Sequence, residues 1–265
     1  MQNSGNTHST YIEPFAGGAG VALSLLLENK VDRIVINDYD KAIYSFWRAV
    51  KEDSQELIQL IQDTPVNIRE WKNQKSIYLE NNHKYSVELA FATFYLNRTN
   101  RSGVLNAGPI GGFEQTGNYS ISARYNKPEL IKRIKRITER KKDISVYNKE
   151  IRAFITQIIP IYEENGFVYF DPPYYNKGKA LYKNFLRPDD HISIANAILK
   201  KVQCDWIVTY DDVPQIEVLY GQFPIWRITL RYSVSSTSSS GSEIVIFRNG
   251  KYCPDMSQLN LKTQF

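Results

Sequence analysis

The stretch TYIEPFAGGAGVALSLLLENKVDRIVIND, residues 10–38, decides the fold. It opens with an aromatic and β-branched strand (TYIEPF, 10–15), turns through AGGAG (16–20) and continues as a helix (VALSLLLENK, 21–30). A second strand, RIVIND (33–38), follows, and then an amphipathic helix from about 39 to 51. Strands alternating with helices in this way predict a parallel sheet with crossover helices. Glycine at Gly17, Gly18 and Gly20 lets the backbone come close to a ligand, because no side chain intervenes. Asp38 closes the second strand, where an acid can accept hydrogen bonds from the ribose hydroxyls of an adenosine-containing ligand. This arrangement serves NAD and S-adenosylmethionine alike. A tight turn with no ligand, followed by a helix-capping acid, remains open beside both. A nucleotide-phosphate loop is excluded because no Lys-Ser or Lys-Thr pair follows the glycines.

Outward from that core, residues 53–98 read as helical, with VELAFATFYLNR as a buried helix running into a loop. Residues 99–126 are rich in Gly, Asn, Ser and Thr and read as loops and hairpins. KPELIKRIKRITERKKD is a basic helix, with Ile131, Ile134 and Ile137 at period-three spacing on one side. The sheet resumes with ISVY (144–147), FVYFD (167–171) and DWIVTY (205–210), the last preceded by a helix at about 188–202. IWRITLRY and SEIVIFR form a terminal antiparallel hairpin, with the run SVSSTSSSGS (233–242) as its loop. Seven strands with a helical, loop-rich insertion after the second predict a doubly wound α/β fold. The expected division is a catalytic domain of 1–52 and 141–265 around an insertion of 53–140.

The chain has 265 residues, 42% of them apolar and 23% charged, the composition of a globular protein with ample core. No run approaches the roughly 18 consecutive apolar residues of a membrane span. The opening MQNSGNTHST lacks a secretory pattern, so a cytoplasmic protein is expected. Cys204 and Cys253 stand far apart, and His8, His83 and His191 are scattered, so neither a disulfide framework nor a metal site is expected. His191, in RPDDHISIAN at a helix start, reads as a capping or packing residue. Net charge is +5, but the segment from Arg124 to Arg152 alone holds eleven Lys or Arg against four Asp or Glu. Such a concentration can attract nucleic acid phosphates; a solvated helix face is the plainer reading. The 18 tyrosines suit base stacking and wet interfaces.

The second chemical motif is DPPYY (171–175), directly after the apolar strand FVYF and so at the carboxyl end of a sheet strand, where α/β proteins bind ligands. Adenine's exocyclic amine is a poor nucleophile because its lone pair is delocalised into the ring. Hydrogen bonds from its two N–H groups to the Asp171 carboxylate and the Pro172 carbonyl would favour a pyramidal nitrogen aimed at a methyl group. Pro172 and Pro173 restrict the backbone that carries that carbonyl. Tyr174 can stack on a base drawn out of a duplex. Asp-Pro-Pro is also ordinary turn chemistry.

Taken together these motifs resemble the Dam-type DNA adenine methyltransferases, in which a glycine motif precedes a target-recognition insertion and DPPY follows it. EPFAGGAG (13–20) resembles the family's cofactor motif, which implies cofactor contacts from Glu13, Pro14, Phe15, Gly17, Gly18 and Gly20. NDYD (37–40) resembles its ribose-binding stretch, placing the acid at Asp38, and Glu150 matches the acid near the cofactor's adenine. FYLNRTNRSGV (94–104) and GPIGG (108–112) resemble the opening of the recognition region, whose candidate DNA contacts are Arg98, Arg101, Asn106, Tyr119 and Arg124. TYDD (209–212) and RYSVSS (231–236) resemble a later sheet motif and the terminal hairpin. The resemblance implies a Rossmann-like S-adenosylmethionine-dependent methyltransferase sheet with an inserted, mainly helical and loop recognition domain. Its members usually begin with a Gly-Gly-Lys motif that contacts the methionine part of the cofactor, and no such motif stands before Tyr11. A missing natural start is the reading preferred here.

The expected function is site-specific transfer of a methyl group from S-adenosylmethionine to the 6-amino group of adenine in double-stranded DNA, without a metal. The catalytic residues are Asp171, Pro172 and Tyr174; a monomer is expected, with a cognate restriction endonuclease as a candidate partner. Two rivals stand beside it: an NAD-dependent oxidoreductase on the same sheet, and a DNA-binding relative that has lost catalysis.

Overall fold

In the computed structural model the strands are β1 (Thr10–Glu13), β2 (Arg33–Asn37), β3 (Ile144–Tyr147), β4 (Gly166–Phe170), β5 (Asp205–Asp211), β6 (Ile225–Val234) and β7 (Thr237–Phe247). The described residues are 9–81, 83–176, 186–234 and 237–250, so His8 and Cys253 lie outside them. The helices among these residues are α1 (Gly20–Leu27), α2 (Lys41–Glu52), α3 (Ser54–Asp63), α4 (Ile68–Asn81), α5 (Val87–Thr99), α6 (Lys127–Thr138), α7 (Ile151–Gln157), α8 (Pro188–Lys201) and α9 (Pro214–Tyr220). The chain divides into two units, Met1–Phe15 with Ile151–Phe265, and Ala16–Glu150.

In the first unit the strand order is β1-β4-β5-β7-β6. β1, β4 and β5 run parallel, with Ile12 opposite Val168 and Val168 opposite Trp206. β7 then pairs antiparallel with both β5 and β6. Every residue of β1 is buried, as expected of a parallel strand covered on both faces. Ile12, Val168, Phe170, Val208, Ile244 and Ile246 form the core of this sheet and are all but inaccessible to solvent. The carboxyl ends of β4 and β5 carry Asp171 and Asp211.

The second unit pairs β2 with β3 in parallel, Ile34 opposite Ile144 and Asn37 opposite Tyr147. Its helical part centres on α5, where the eight residues from Leu89 to Leu96 are all buried. A helix buried on all sides belongs to the middle of a bundle, and α5 packs against α2, α3 and α4. Its start is fixed by Ser86, whose hydroxyl accepts from the Leu89 N–H. α2 is capped in the same way by Asp40, which accepts from Ala42 N at 2.8 Å, and α6 by Asn126, with Pro128 in its first turn. On α6 the buried pair is Leu130 and Ile134, while Ile131 and Ile137 are half-covered.

The doubly wound α/β fold with seven strands is as expected. Three local readings are corrected. Among the described residues 99–126 there is no strand, only an isolated bridge between Asn100 and Pro109 and a 3-10 turn at Arg101–Gly103, because turn hydrogen bonds satisfy this backbone. The serine run lies largely within strands: β6 and β7 pair as far as Val234 opposite Thr237, since ladder bonds need no apolar side chain. α7 and α9 were not anticipated. No helix among the described residues is long and apolar enough to cross a membrane.

Candidate active site

The glycine turn of the second unit is bent by a left-handed backbone at Gly17 (φ +47°) and at Ala19 (φ 46°). Two side chains hold it. The Trp47 indole donates to the Gly17 carbonyl at 2.8 Å, and the Gly17 N–H donates to Asp38 Oδ2 at 2.9 Å. The other oxygen, Asp38 Oδ1, accepts from Asp40 N at 2.9 Å. Burial pushes the Asp38 carboxyl up to about 6, with the charge of Asp40 adding to it, against the two backbone N–H groups that hold it down. A carboxylate oxygen has two lone pairs, so each keeps a place for a further donor. An added Cβ at Gly17, Gly18 or Gly20 would meet no protein atom within 4 Å. Among the described residues, none stands within 4 Å of these added positions. Asn37 fixes the neighbouring backbone by exchanging bonds with Lys149, at 3.1 and 2.8 Å, and Asn148 Nδ2 donates to the Asp38 carbonyl at 2.7 Å. This ties the segment carrying the half-buried Glu150 to the end of β2. Glu13, Pro14 and Phe15 belong to the other unit, at the end of β1; Glu13 is only 5% exposed.

In the first unit Asp171 follows β4 with its side chain open to solvent. Thr209, on β5, donates its hydroxyl to Asp171 Oδ1 at 2.6 Å. Tyr169 lies 3.1 Å from the same Thr209 oxygen. Surrounding protein raises the Asp171 carboxyl above its ordinary value and the charge of Glu243 adds to this, while the Thr209 bond opposes both. The Tyr174 phenol is pushed far up, chiefly by burial and then by the charges of Asp171 and nearby Glu243. Tyr11 donates in turn to Glu13. The turn after DPPY is held by Asp211, 4% exposed, whose two oxygens accept from Tyr175 N at 2.7 Å and Asn176 N at 2.9 Å. His191 is buried, with Nδ1 3.0 Å from the Tyr210 hydroxyl and its ring 5.0 Å from that of Tyr175. Thr209, Asp211 and Glu243 are the residues that motif reading left without roles. Two of them stand in TYDD, but Glu243 meets Asp211 only through the β5–β7 register.

Of the candidate DNA contacts, Arg98 ends α5 and donates to Asn97 Oδ1 at 3.0 Å. Its guanidinium is held below its ordinary value by burial and then by Arg124 and Arg133, all like charges. Arg124 lies over Gly103 and Arg101 over Gly108, each within 3.4 Å of where a Cβ would stand. The structure thus gathers Arg98, Arg101 and Arg124 around the turns at 101–108, with Asn106 exposed among them. Tyr119, 72% exposed, stands on the separate loop that follows. Among the described residues no group of three or more His, Cys, Asp or Glu is placed to hold a metal ion.

Residues 1–234 match the model of the D12 class N6 adenine-specific DNA methyltransferases. The chain belongs to that family. The matched residues of this D12 chain take in the glycine turn, Asp38 and DPPYY, and stop short of Glu243. Among curated proteins it is 25% identical over 177 residues to the type II methyltransferase M.MjaIII of Methanocaldococcus jannaschii, covering 62% of this chain and 58% of that protein. It is 24% identical over 178 residues to the type II methyltransferase M1.LlaDCHI of Lactococcus lactis, covering 63% and 57%. The D12 chain thus matches under two thirds of the length of these relatives. Among solved structures, the rRNA methyltransferase aviRa of Streptomyces viridochromogenes superposes with a TM-score of 0.37 at 11% identity, over 92% of this chain and 78% of that one.

Proposed function

We propose that this chain is a site-specific DNA methyltransferase that transfers a methyl group from S-adenosylmethionine to the 6-amino group of adenine. The observation that carries the reading is the placement of Asp171-Pro172-Pro173-Tyr174 at the carboxyl end of β4, with the Asp171 carboxylate reachable from solvent. Membership of the D12 family supports the chemistry, and the relatives' designation as type II methyltransferases supports a restriction-modification setting with a cognate endonuclease. The open space over the glycine turn and the spare lone pairs of Asp38 fit an adenosine-bearing ligand. S-adenosylmethionine, when bound, supplies an electrophilic methyl on sulfur. The chain does the rest. Asp171 accepts a hydrogen bond from the adenine amine and the Pro172 carbonyl a second, and Tyr174 stacks on the extruded base. The amine gains positive charge as it is methylated, and the carboxylates Asp171 and Glu243 stabilise that charge with a preorganised negative field; the C–S bond breaks to leave a neutral thioether, and the methylated amine gives up its surplus proton to solvent.

In this reading residues 53–140 form the target-recognition insertion and 1–52 with 141–265 the catalytic part. Arg98, Arg101, Asn106, Tyr119 and Arg124 contact double-stranded DNA, and the cofactor side is Glu13, Pro14, Phe15, Gly17, Gly18, Gly20, Asp38 and Glu150. The protein works in the cytoplasm as a monomer. The test is sequencing of DNA from cells expressing the chain, with detection of modified adenine, beside Asp171→Ala. N6-methyladenine at a fixed sequence context is expected from the parent alone. DNA binding without any methyl transfer would instead make the chain a non-catalytic relative.

A further inference from the structure

We infer that Thr209 is a positioning residue for the reaction: with Tyr169 behind it, its hydroxyl holds one oxygen of Asp171 and leaves the other for the adenine amine. This rests on the reading of Asp171 given above and adds to it a residue on a different strand. A threonine hydroxyl has one proton, and here it points to Asp171 Oδ1 at 2.6 Å. Tyr169, 3.1 Å from Thr209 Oγ1, must then be the donor in that contact. The result is a directed chain, Tyr169 to Thr209 to Asp171. It starts on β4 and returns to the residue just past the end of β4 by way of β5, opposite which Tyr169 pairs with Ile207. Among the described residues Asp171 Oδ2 accepts no hydrogen bond, so it is the oxygen available to substrate. Fixing Oδ1 removes the rotation that would otherwise exchange the two oxygens and orients the acceptor before the base arrives.

The same bond acts on ionisation. The amine donates more strongly to the charged carboxylate than to the acid, whose proton would occupy the free oxygen. Among the described residues, the groups facing Asp171 all work against that charge or are neutral: Glu243 on β7, Tyr174 on its own loop, Tyr169 on β4, Tyr11 on β1 and Tyr210 on β5. Glu13 lies behind Tyr11 and Tyr169. No cation among the described residues faces it. The Thr209 hydroxyl is what opposes desolvation by the surrounding protein and the charge of Glu243, and hydrogen bonds to a charged form favour it.

The experiment compares Thr209→Val, Thr209→Ser and Asp171→Asn in the full chain, using tritiated S-adenosylmethionine and unmethylated mixed-sequence genomic DNA, from pH 5 to 9. Thr209→Val should lower kcat by about tenfold at every pH and move the acid limb of its profile up by about one pH unit, with KM for both substrates little changed. Thr209→Ser should restore both. A 13C titration of the Asp171 carboxyl, which needs no turnover, should show the same upward shift in the valine variant alone. An acid limb and a carboxyl titration that stay where the parent has them would overturn the inference. So would a serine variant as impaired as the valine one, which would make the threonine methyl the working part. Asp171→Asn with undiminished transfer would overturn the reading of Asp171 itself, which is distinguishable because the Asp171 carboxyl would still titrate higher in Thr209→Val.

Discussion

At Gly18 and Gly20 an added Cβ would touch nothing within 4 Å, and neither residue has a left-handed φ. The chain could carry alanine there at no cost to itself, so the glycines answer to a ligand. Gly18→Ala should leave thermal unfolding unchanged, or raise stability by about 0.4–1 kcal/mol by restricting the unfolded chain. Its affinity for S-adenosylmethionine should fall by about tenfold or more. Equal calorimetric affinity for parent and variant would remove the turn from the cofactor site. Asp38 gives a pH dependence whose sign can be worked out. Its folded value is raised to about 6, so ionisation in the free protein works against folding as pH rises from about 4 to 6. Ribose hydroxyls would donate to the charged form, so binding is coupled to loss of the proton. Affinity should therefore climb as pH rises through about 6 and then level off. Asp38→Asn should flatten that dependence and weaken binding, because its amide must turn a donor towards the N–H of Gly17 or Asp40. A flat profile for the parent would mean Asp38 serves the turn alone.

Elements differ in how far their sequence discloses them. β1, β2, β4 and β5 are apolar runs ended by an acid or a turn, and burial on both faces of a parallel strand demands that composition. α7 and α9 have seven residues each, too few for a helical period to show. IRAFITQ is also rich in β-branched residues that favour strands. The serine run reads as a loop because its composition is polar, while its strand structure comes from pairing with β6. The site was legible to the same extent. Asp38 and Asp171 announce themselves by their place after a strand, but Thr209 and Glu243 reach the site only through strand register. The loop at 110–121 shows this most plainly. Gln115, itself at φ 52°, donates to the carbonyls of Ile110 at 2.8 Å and Gly112 at 2.6 Å and accepts from Ile121 N at 2.8 Å. One side chain therefore does what strand pairing was expected to do. Gln115→Ala should release the loop without unfolding the protein. Chymotrypsin should then cut after Phe113 or Tyr119, which are 54% and 72% exposed, well before the rest of the chain. Unchanged resistance would show that Gly111 and Gly117, which touch backbone to backbone, suffice to close it.

Across the whole molecule the charge is uneven in a way that bears on DNA. The chain is +5 in total, yet the residues from Arg124 to Arg152 contribute +7, so the remainder is slightly acidic. α6 carries much of this excess. Its buried side is Leu130 and Ile134, and Lys132, Arg133, Lys135 and Arg136 are all exposed. The ion pairs of this helix do little to neutralise them: Arg133 reaches Glu129 only at 4.0 Å, with both side chains more than half exposed, and such pairs contribute little. Phosphate binding by free cations releases counterions, and each contact adds roughly 0.9 to the slope of log affinity against log salt. Lys132→Ala with Lys135→Ala should therefore reduce that slope by about two and weaken binding to every sequence alike. Target preference should persist, since phosphate contacts position the protein and base contacts specify the site. Replacing Arg101 should instead alter the methylated sequence context more than the slope. The measurement is fluorescence anisotropy of two unrelated duplexes over a range of salt, with parent and double variant side by side. A slope that survives both replacements would make α6 a solvated face turned away from DNA, and the arginines gathered around the turns at 101–108 would have to supply the phosphate contacts.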